Sequence, residues 1–179
     1  MQAQDVLQFW FHELSDKQRF AKDEGLDATL RARFGTTLLA ATRGELTHWR
    51  ATPEGRLAEI ILLDQFSRNI YRDTPAAFAQ DPQALTLAQA LVASGQDQAL
   101  ELTQRTFAYM PYMHSESLLI HAQALLLFAQ PGMATTLAFE QRHQAIIARF
   151  GRYPHRNAIL GRASTTEELA FLAQPGSSF

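Results

Sequence analysis

Apolar residues recur every three or four positions along this chain, the spacing that places them on one face of an α-helix. The first such stripe contains Val6, Leu7, Trp10, Phe11 and Leu14. Capping residues, prolines and glycines separate each stripe from the next. The pattern predicts eight helices, at about 4–14, 27–43, 53–71, 81–94, 98–108, 115–130 and 135–150, with a short one after 164 and a loop at 15–25.

The predicted helix from Pro53 to Tyr71 differs from the others, because its apolar residues do not keep to one face. Ile60, Ile61, Leu62 and Leu63 occupy four consecutive positions. Steps of about 100° per residue spread these side chains around the whole helix, and a helix that is apolar on every side is buried. We therefore expect this helix to lie at the centre of the fold.

Together these elements predict an all-α fold. We expect a single domain over residues 1–174, followed by a frayed tail at 175–179. Two arrangements of about eight helices fit the pattern: antiparallel helical pairs in a tetratricopeptide-like α-α superhelix, or a compact bundle. No repeat with a 34-residue period is recognisable, so the helices need not form a repeat array.

Composition supports the helical assignment and narrows the class of protein. Alanine and leucine supply 52 residues, whereas the strand-favouring valine and isoleucine supply 9. The chain opens without the basic and apolar regions of a signal peptide and has no apolar run long enough to span a bilayer. It contains no cysteine. We therefore expect a cytoplasmic protein with no membrane partner, no metal and no cofactor, and motifs for nucleotide or zinc-protease chemistry are absent.

Polar residues follow the apolar segment of the predicted central helix. Asp64 and Arg68 are four positions apart and share a face, and Arg72 follows one turn later, with Asn69 beside them. Charged groups that emerge from a buried segment are costly unless they are paired. Two interpretations remain open: an interior ion-pair network that fixes helix packing, or the polar floor of a cleft.

A second cluster lies in the aromatic stretch that runs from 109 to 116. Ser115 is placed to cap the next helix, where exposed N–H groups favour anions, and His114 and Glu116 stand on either side of it. His121 lies two turns beyond His114, too far along one helix for both to bind the same metal ion. The interpretations are a structural turn with a helix cap or part of an anion site.

A third cluster is the arginine-rich segment 142–162, which contains no acidic residue in a protein whose net charge is −2. Pro154 prevents a regular helix, so a loop displays the side chains around it. Arginine forks suit carboxylate and phosphate groups. The segment therefore predicts either an anion site or a set of bridges from the arginines to acids elsewhere, such as Asp64.

These clusters coincide with the motifs of a known family. LDQF-x-RN at 63–69, YMHSE at 112–116 and RFGRYPHRN at 149–157 resemble, in order, the bacterial domain-of-unknown-function 924 family, which often has proline where Ser67 stands. FAKD at 20–23 and TPAAFAQD at 74–81 also look like that family, so the resemblance covers nearly the whole chain. It implies an all-helical, tetratricopeptide-like fold without an assigned activity.

Three classes of function follow. The first is a binding module whose inter-helix groove accepts an anionic small molecule or an acidic peptide. The alternative is an enzyme that uses His114 or His155 as general acid or base beside Asp64 or Glu116 in the same groove. Nucleic-acid binding through 142–162 comes third, because the pI is about 6.3 and lysine is scarce.

We expect the three clusters to converge in one anion-accepting site. The candidate ligand-binding residues are Asp64, Arg68, Asn69, Arg72, His114, Ser115, Glu116, Arg152, His155, Arg156, Asn157 and Arg162.

Overall fold

The computed structural model of the protein describes residues 1–177, and within that range it contains nine helices and no β-strand. The all-α prediction is therefore confirmed. The helices are α1 (Ala3–Gln8, continued as a π-helix over Phe9–Glu13), α2 (Asp16–Arg19), α3 (Glu24–Thr42), α4 (Pro53–Ile61, continued through a π-helical turn at Leu62–Phe66 and the last turns at Ser67–Ile70), α5 (Asp81–Ala93), α6 (Leu102–Met113), α7 (Leu118–Phe128), α8 (Ala134–Phe150) and α9 (Thr166–Leu172). Short 3-10 turns lie at Thr47–Ala51, Pro75–Ala77, Gln96–Ala99 and Pro154–Arg156.

Helix α4 begins where the sequence predicts and is the central helix. The Thr52 hydroxyl accepts a hydrogen bond from the Gly55 N–H at 3.1 Å, and Pro53 occupies the first turn, where its missing N–H is not needed. Gly55 is required there, because an added Cβ would lie 1.9 Å from the Trp49 carbonyl oxygen. The residues from Leu57 to Leu63 are all fully buried.

The other helices are arranged around α4. Helices α1, α3, α5 and α6 all pack against it, and α7 and α8 follow by packing on α6 and on each other. This arrangement favours the compact bundle among the two that the sequence left open. After α8 the chain turns back at Gly151, where a small apolar cluster of Ile146, Ile147 and Tyr153 holds the segment that carries the last arginines.

Several predicted boundaries are wrong for local reasons. The predicted loop at 15–25 contains α2, which Ser15 caps by accepting from the Gln18 N–H, and α3 begins early because the Asp23 carboxylate accepts from two N–H groups of its first turn. The predicted short helix after 164 is α9, whose capping box is formed by Thr165 and Glu168.

The largest difference concerns the aromatic stretch, which is helix rather than turn. Helix α6 continues through Pro111 to Met113, although the proline removes one backbone hydrogen bond. Tyr109 and Tyr112 are buried in this last part of α6, and their packing outweighs that loss. Ser115 is not the predicted cap, since α7 begins at Leu118 and its N-cap residue is Ser117. His114, Ser115 and Glu116 therefore form the link between α6 and α7.

The end of the chain is described only as far as residue 177. Residues 178 and 179 of the predicted tail lie outside the described part, and the Ser177 hydroxyl donates to the Leu172 carbonyl at 3.1 Å.

None of the helices in residues 1–177 combines the length and the apolar character that crossing a membrane requires.

Candidate functional site

A cleft of about 350 Å³ opens between the link that joins α6 to α7 and the segment that leads into α5. Most of its wall is apolar, from Pro75, Phe78, Ala79, Pro82, Leu85, Pro111 and Leu160. Its polar residues are Asp81, His114, Ser115, Glu116 and Arg156. The cleft thus combines an apolar wall with a few converging polar groups, which is the usual composition of a small-molecule site.

The polar side of the cleft rests on a pair formed by His114 and Asp64. The His114 Nδ1 atom lies 2.7 Å from Asp64 Oδ1, and the two side chains are 16% and 1% exposed. The Asp64 carboxylate also accepts from Gln65 at 2.6 Å and pairs with Arg68 at 3.1 Å. The predicted ion pair between Asp64 and Arg68 is therefore present, and it supports an imidazole whose other edge is at the cleft.

Electrostatics fix the charge state of this pair. Burial alone would raise the pKa of Asp64, but Arg68 and His114 outweigh it and hold that pKa well below its usual range. Burial and then the charge of Arg68 lower the pKa of His114, and Asp64 offsets only part of that change. At neutral pH the carboxylate is ionised and the imidazole is neutral, so Nδ1 keeps its proton and donates it to Asp64.

A chain of ion pairs beside the cleft links α4, α5 and residues 151–165, which we call the C-terminal segment. Arg68 bonds both oxygens of Asp81, at 2.8 and 3.0 Å, and Arg156 donates to the same carboxylate at 3.0 Å. The Arg156 guanidinium also lies over the rings of Phe78 and Tyr153, with centroid distances of 4.6 and 4.8 Å. Residues from all three predicted clusters therefore meet here.

Three consecutive backbone carbonyls hold the link that carries His114. Tyr153 donates from its hydroxyl to the Met113 carbonyl at 2.6 Å. Arg156 donates to the His114 carbonyl at 2.9 Å, and His121 Nε2 donates to the Ser115 carbonyl at 2.8 Å. We call this set the carbonyl clamp. It fixes the backbone around His114 without occupying the edge of the ring that lies at the cleft.

A second histidine–carboxylate pair supports the clamp from inside the protein. His121 Nδ1 lies 2.6 Å from Glu140 Oε1, and neither side chain is exposed. Because Nε2 of His121 must carry a proton to bond the Ser115 carbonyl, a proton must also lie between Nδ1 and Glu140; otherwise two lone pairs would face each other. Burial raises the pKa of Glu140, against the effect of its bond to His121. The pair thus shares one proton and is neutral as a unit.

Glu116 is the last acidic group at the cleft and is tied to the C-terminal segment. Its carboxylate accepts two bonds from Arg162, at 2.7 and 2.9 Å, and one from the Tyr153 N–H at 2.7 Å. Burial would raise the pKa of Glu116, but Arg162 and this backbone bond lower it below its usual value. Glu116 is therefore ionised and already paired.

Other predicted site residues lie away from the cleft. Asn69 and Arg72 both bond Asp27 of α3, at distances between 2.5 and 2.9 Å. Arg152 makes a two-point bond to Glu168 of α9. Asn157 is fully buried and bridges Arg162 and Ser164 within its own segment, and the ring of His155 packs against Tyr153 with centroids 5.5 Å apart.

The arginine-rich segment is therefore neutralised by acids from other parts of the chain. Asp81, Glu116 and Glu168 pair with Arg156, Arg162 and Arg152 respectively. These arginines therefore bridge to acids elsewhere in the chain, which is one of the two arrangements that the sequence left open. Asp64, the partner suggested there, pairs with none of the three. Among the described residues, the three arginines of this segment that belong to the candidate site therefore form no cluster of unpaired positive charge.

Sequence reasoning missed four residues that shape the site: Asp81, His121, Glu140 and Tyr153. Asp81 resembled a helix-opening residue, and Glu140 stands between Phe139 and Gln141 in a stretch that looks half exposed. One signal could have indicated His121. It lies on a helix that is almost entirely apolar, and a buried imidazole needs hydrogen-bond partners. In residues 1–177, no group of three or more histidine or acidic side chains is arranged to hold a metal ion.

Comparisons with known proteins agree with the motifs. The model of a family described as bacterial protein of unknown function (DUF924) matches residues 6–176. The fold is similar to a solved structure of a protein of unknown function from Agrobacterium tumefaciens, with a TM-score of 0.91, 37% identity and 96% of each chain covered. A search of curated proteins finds no match.

Proposed function

The chain belongs to the DUF924 family, whose description assigns no activity, and we propose that its cleft binds a small molecule with an apolar body and one acidic group. The observation that carries this proposal is the composition of the cleft, in which a largely apolar wall faces Arg156 and His114. Apolar surface supplies binding free energy in such sites, and a few polar groups fix the orientation of the ligand.

Arg156 is the group that recognises the acidic end of the ligand. It donates once from Nη1, to Asp81, and once from Nη2, to the His114 carbonyl. Each of these nitrogens carries a second hydrogen, so the guanidinium keeps donors for a carboxylate oxygen. Its packing against Phe78 and Tyr153 holds the fork in one orientation before a ligand arrives.

The charge balance around the cleft disfavours a ligand with several negative charges. Arg68, Arg156 and Arg162 are matched by the carboxylates of Asp64, Asp81 and Glu116. A polyanion would meet those three carboxylates without an excess of cations to offset them. A short-chain or aromatic carboxylate therefore fits better than a nucleic acid or a strongly acidic peptide.

Thermal stability in the presence of hexanoate tests the proposal. A ligand of the native state raises its melting temperature by mass action. We expect hexanoate to stabilise the protein more than acetate does, with chloride at the same ionic strength as the reference, because only hexanoate reaches the apolar wall. Inorganic phosphate should have less effect than either.

Two matched variants locate the effect. Leu160→Glu puts a carboxylate into the wall and should abolish the shift caused by hexanoate, measured against the melting temperature of that variant alone. Leu126→Glu makes the same change at an exposed position of α7 outside the cleft and should keep the shift. Equal shifts in both variants, or none in the unchanged protein, would refute binding in the cleft.

A further inference from the structure

On the premise that the cleft binds small carboxylic acids, we propose that it hydrolyses their esters, with His114 as the general base that activates water. The acid that the cleft binds would then be the product of the reaction. The geometry around His114, the donors of Arg156 and the apolar wall each supply one part of this chemistry.

The orientation of His114 is that of a base. Its Nδ1 atom donates to the buried Asp64 carboxylate at 2.7 Å, so the neutral ring carries no proton on Nε2. Among residues 1–177, Nε2 of His114 makes no hydrogen bond, the side chain is 16% exposed, and His114 lines the cleft. The lone pair of Nε2 is thus available to a water molecule or a ligand there. Asp64 is the positioning residue, because it fixes the tautomer and the direction of the ring.

The two histidines differ in whether the lone pair of Nε2 is available, as the contacts of His121 show. The corresponding Nε2 atom of His121 donates to the Ser115 carbonyl at 2.8 Å and lies 3.2 Å from the Tyr153 hydroxyl. Its ring is fully buried. His121 therefore positions the link through the carbonyl clamp, whereas His114 is free to exchange a proton with a bound molecule.

The charge of His114 depends on groups from four other elements. They are Asp64 and Arg68 of α4, Asp81 of α5, His143 of α8, and His155 and Arg156 of the C-terminal segment. Burial and Arg68 together lower the pKa of His114, and Asp64 opposes them. The ring is consequently neutral at pH 7, which is the state that a general base needs.

The proposed reaction balances with water as the only co-reactant. His114 Nε2 takes a proton from water while the water oxygen bonds to the carbonyl carbon of the ester. Arg156 donates to the oxygen that becomes negative in the tetrahedral intermediate. The C–O bond to the alcohol then breaks, and the imidazolium returns its proton to the departing oxygen. The products are the carboxylic acid and the alcohol, and His114 is neutral again.

Hydrolysis of p-nitrophenyl hexanoate and p-nitrophenyl acetate tests the proposal. We expect the protein to hydrolyse the hexanoate ester faster than buffer does, and with a higher kcat/KM than the acetate ester. His114→Gln should lower kcat by about 100-fold or more, the typical contribution of a general base. His48→Gln removes an exposed histidine outside the cleft and should leave the rate unchanged.

A pH profile separates a chemical role of the pair from a structural one. The rate should rise with pH as His114 loses its proton, at a pKa below its usual value of about 6.5, and then stay level through neutral pH. Asp64→Asn should lower kcat and move this limb to lower pH, since the charge of Asp64 raises the pKa of His114. A purely structural role would not move the limb.

The possible outcomes distinguish this proposal from the one it rests on. If hexanoate stabilises the protein but neither ester is hydrolysed, the cleft binds acids and the catalytic proposal is wrong. If hydrolysis persists unchanged in His114→Gln, the base is another group and the proposal is also wrong. If hexanoate neither binds nor inhibits hydrolysis, both proposals fail.

Discussion

Two histidines seven positions apart in this chain each pair with a carboxylate, but the two pairs differ in charge state and in surroundings. The distances are almost equal, 2.7 Å for His114 and Asp64 and 2.6 Å for His121 and Glu140. The Asp64 carboxylate also accepts a hydrogen bond from Gln65 and forms an ion pair with Arg68, and it is ionised. In the described chain, Glu140 Oε2 has no hydrogen-bond partner, so that pair retains a shared proton.

The comparison shows that a short bond between histidine and carboxylate does not by itself identify a reactive site. Two other features decide: the number of donors around the carboxylate, which fixes its charge, and the contacts of the far ring nitrogen. In the first pair the histidine lines a cleft and its far nitrogen bonds nothing in the described chain, and in the second the far nitrogen holds a backbone carbonyl. The first pair has the contacts that our proposal requires of a functional group, and the second pair holds the link in place.

The largest expected effect is on stability, when Asp64 is removed. Asp64→Ala leaves Arg68 with one carboxylate instead of two and removes the partner of His114, and breaking a buried pair costs about 3–5 kcal/mol. Chemical denaturation measures this loss. Glu45→Ala is the control, since Glu45 is exposed and its carboxylate forms no ion pair with the described residues. A loss below about 1 kcal/mol would show that the first pair is not a buried ionic unit.

Loss of the second pair should lower the free energy of unfolding by less, and mainly when an apolar residue replaces Glu140. Glu140→Leu leaves His121 Nδ1 without a partner, at a cost of about 1–3 kcal/mol. Glu140→Gln keeps a group that can bond Nδ1 and should cost less than Glu140→Leu. Equal losses for the two variants in chemical denaturation would contradict the proposed shared proton, because the hydrogen bond would then not be what stabilises the pair.

The two carboxylates should also give stability pH dependences of opposite sign. The pKa of Asp64 is lower in the folded state, so its contribution is present above pH 3.8 and is lost as the pH falls below that value. The pKa of Glu140 is higher in the folded state, so its contribution is present below pH 4.5 and is lost as the pH rises through the raised pKa.

Denaturation as a function of pH separates these contributions. Asp64→Asn should flatten the decline of stability on the acid side, and Glu140→Gln should flatten the change above pH 4.5. The same effect of both variants on the same side of pH 4 would mean that the charge states of the pairs are wrongly assigned.

The smallest effect is expected for His114→Gln. The glutamine amide can donate to Asp64 in place of Nδ1, and the other edge of His114 bonds nothing in the described protein. We expect a change in the free energy of unfolding of no more than about 1 kcal/mol. A much larger loss would place His114 among the structural groups, with His121, and remove the contrast between the pairs.

The sequence predicted those parts of the molecule that depend on local pattern. The run of four apolar residues from Ile60 to Leu63 identified the central helix, and the four-residue spacing of Asp64 and Arg68 identified their pair. In both cases the residues that make the pattern lie within about one helical turn of each other.

The parts that were missed depend on contacts between distant segments. Arg156 bonds Asp81 across 75 positions, and His121 bonds Glu140 across 19. No periodicity reports such partners, so the arginines looked unneutralised although each had an acid elsewhere. Pro111 misled for a different reason: local propensity predicts a break, but the burial of Tyr109 and Tyr112 keeps α6 helical through it.

The carbonyl clamp has a consequence for how the protein folds. Its donors, His121, Tyr153 and Arg156, all follow the link that they hold, by as many as 42 positions. Contacts that close long loops form late, because the chain entropy must be lost before they are gained. During synthesis, the central helices can pack before the link around His114 has any fixed shape. In pulsed hydrogen exchange during refolding, amides of α4 should therefore become protected before those of residues 114–116, which makes the cleft the last part of the molecule to assemble.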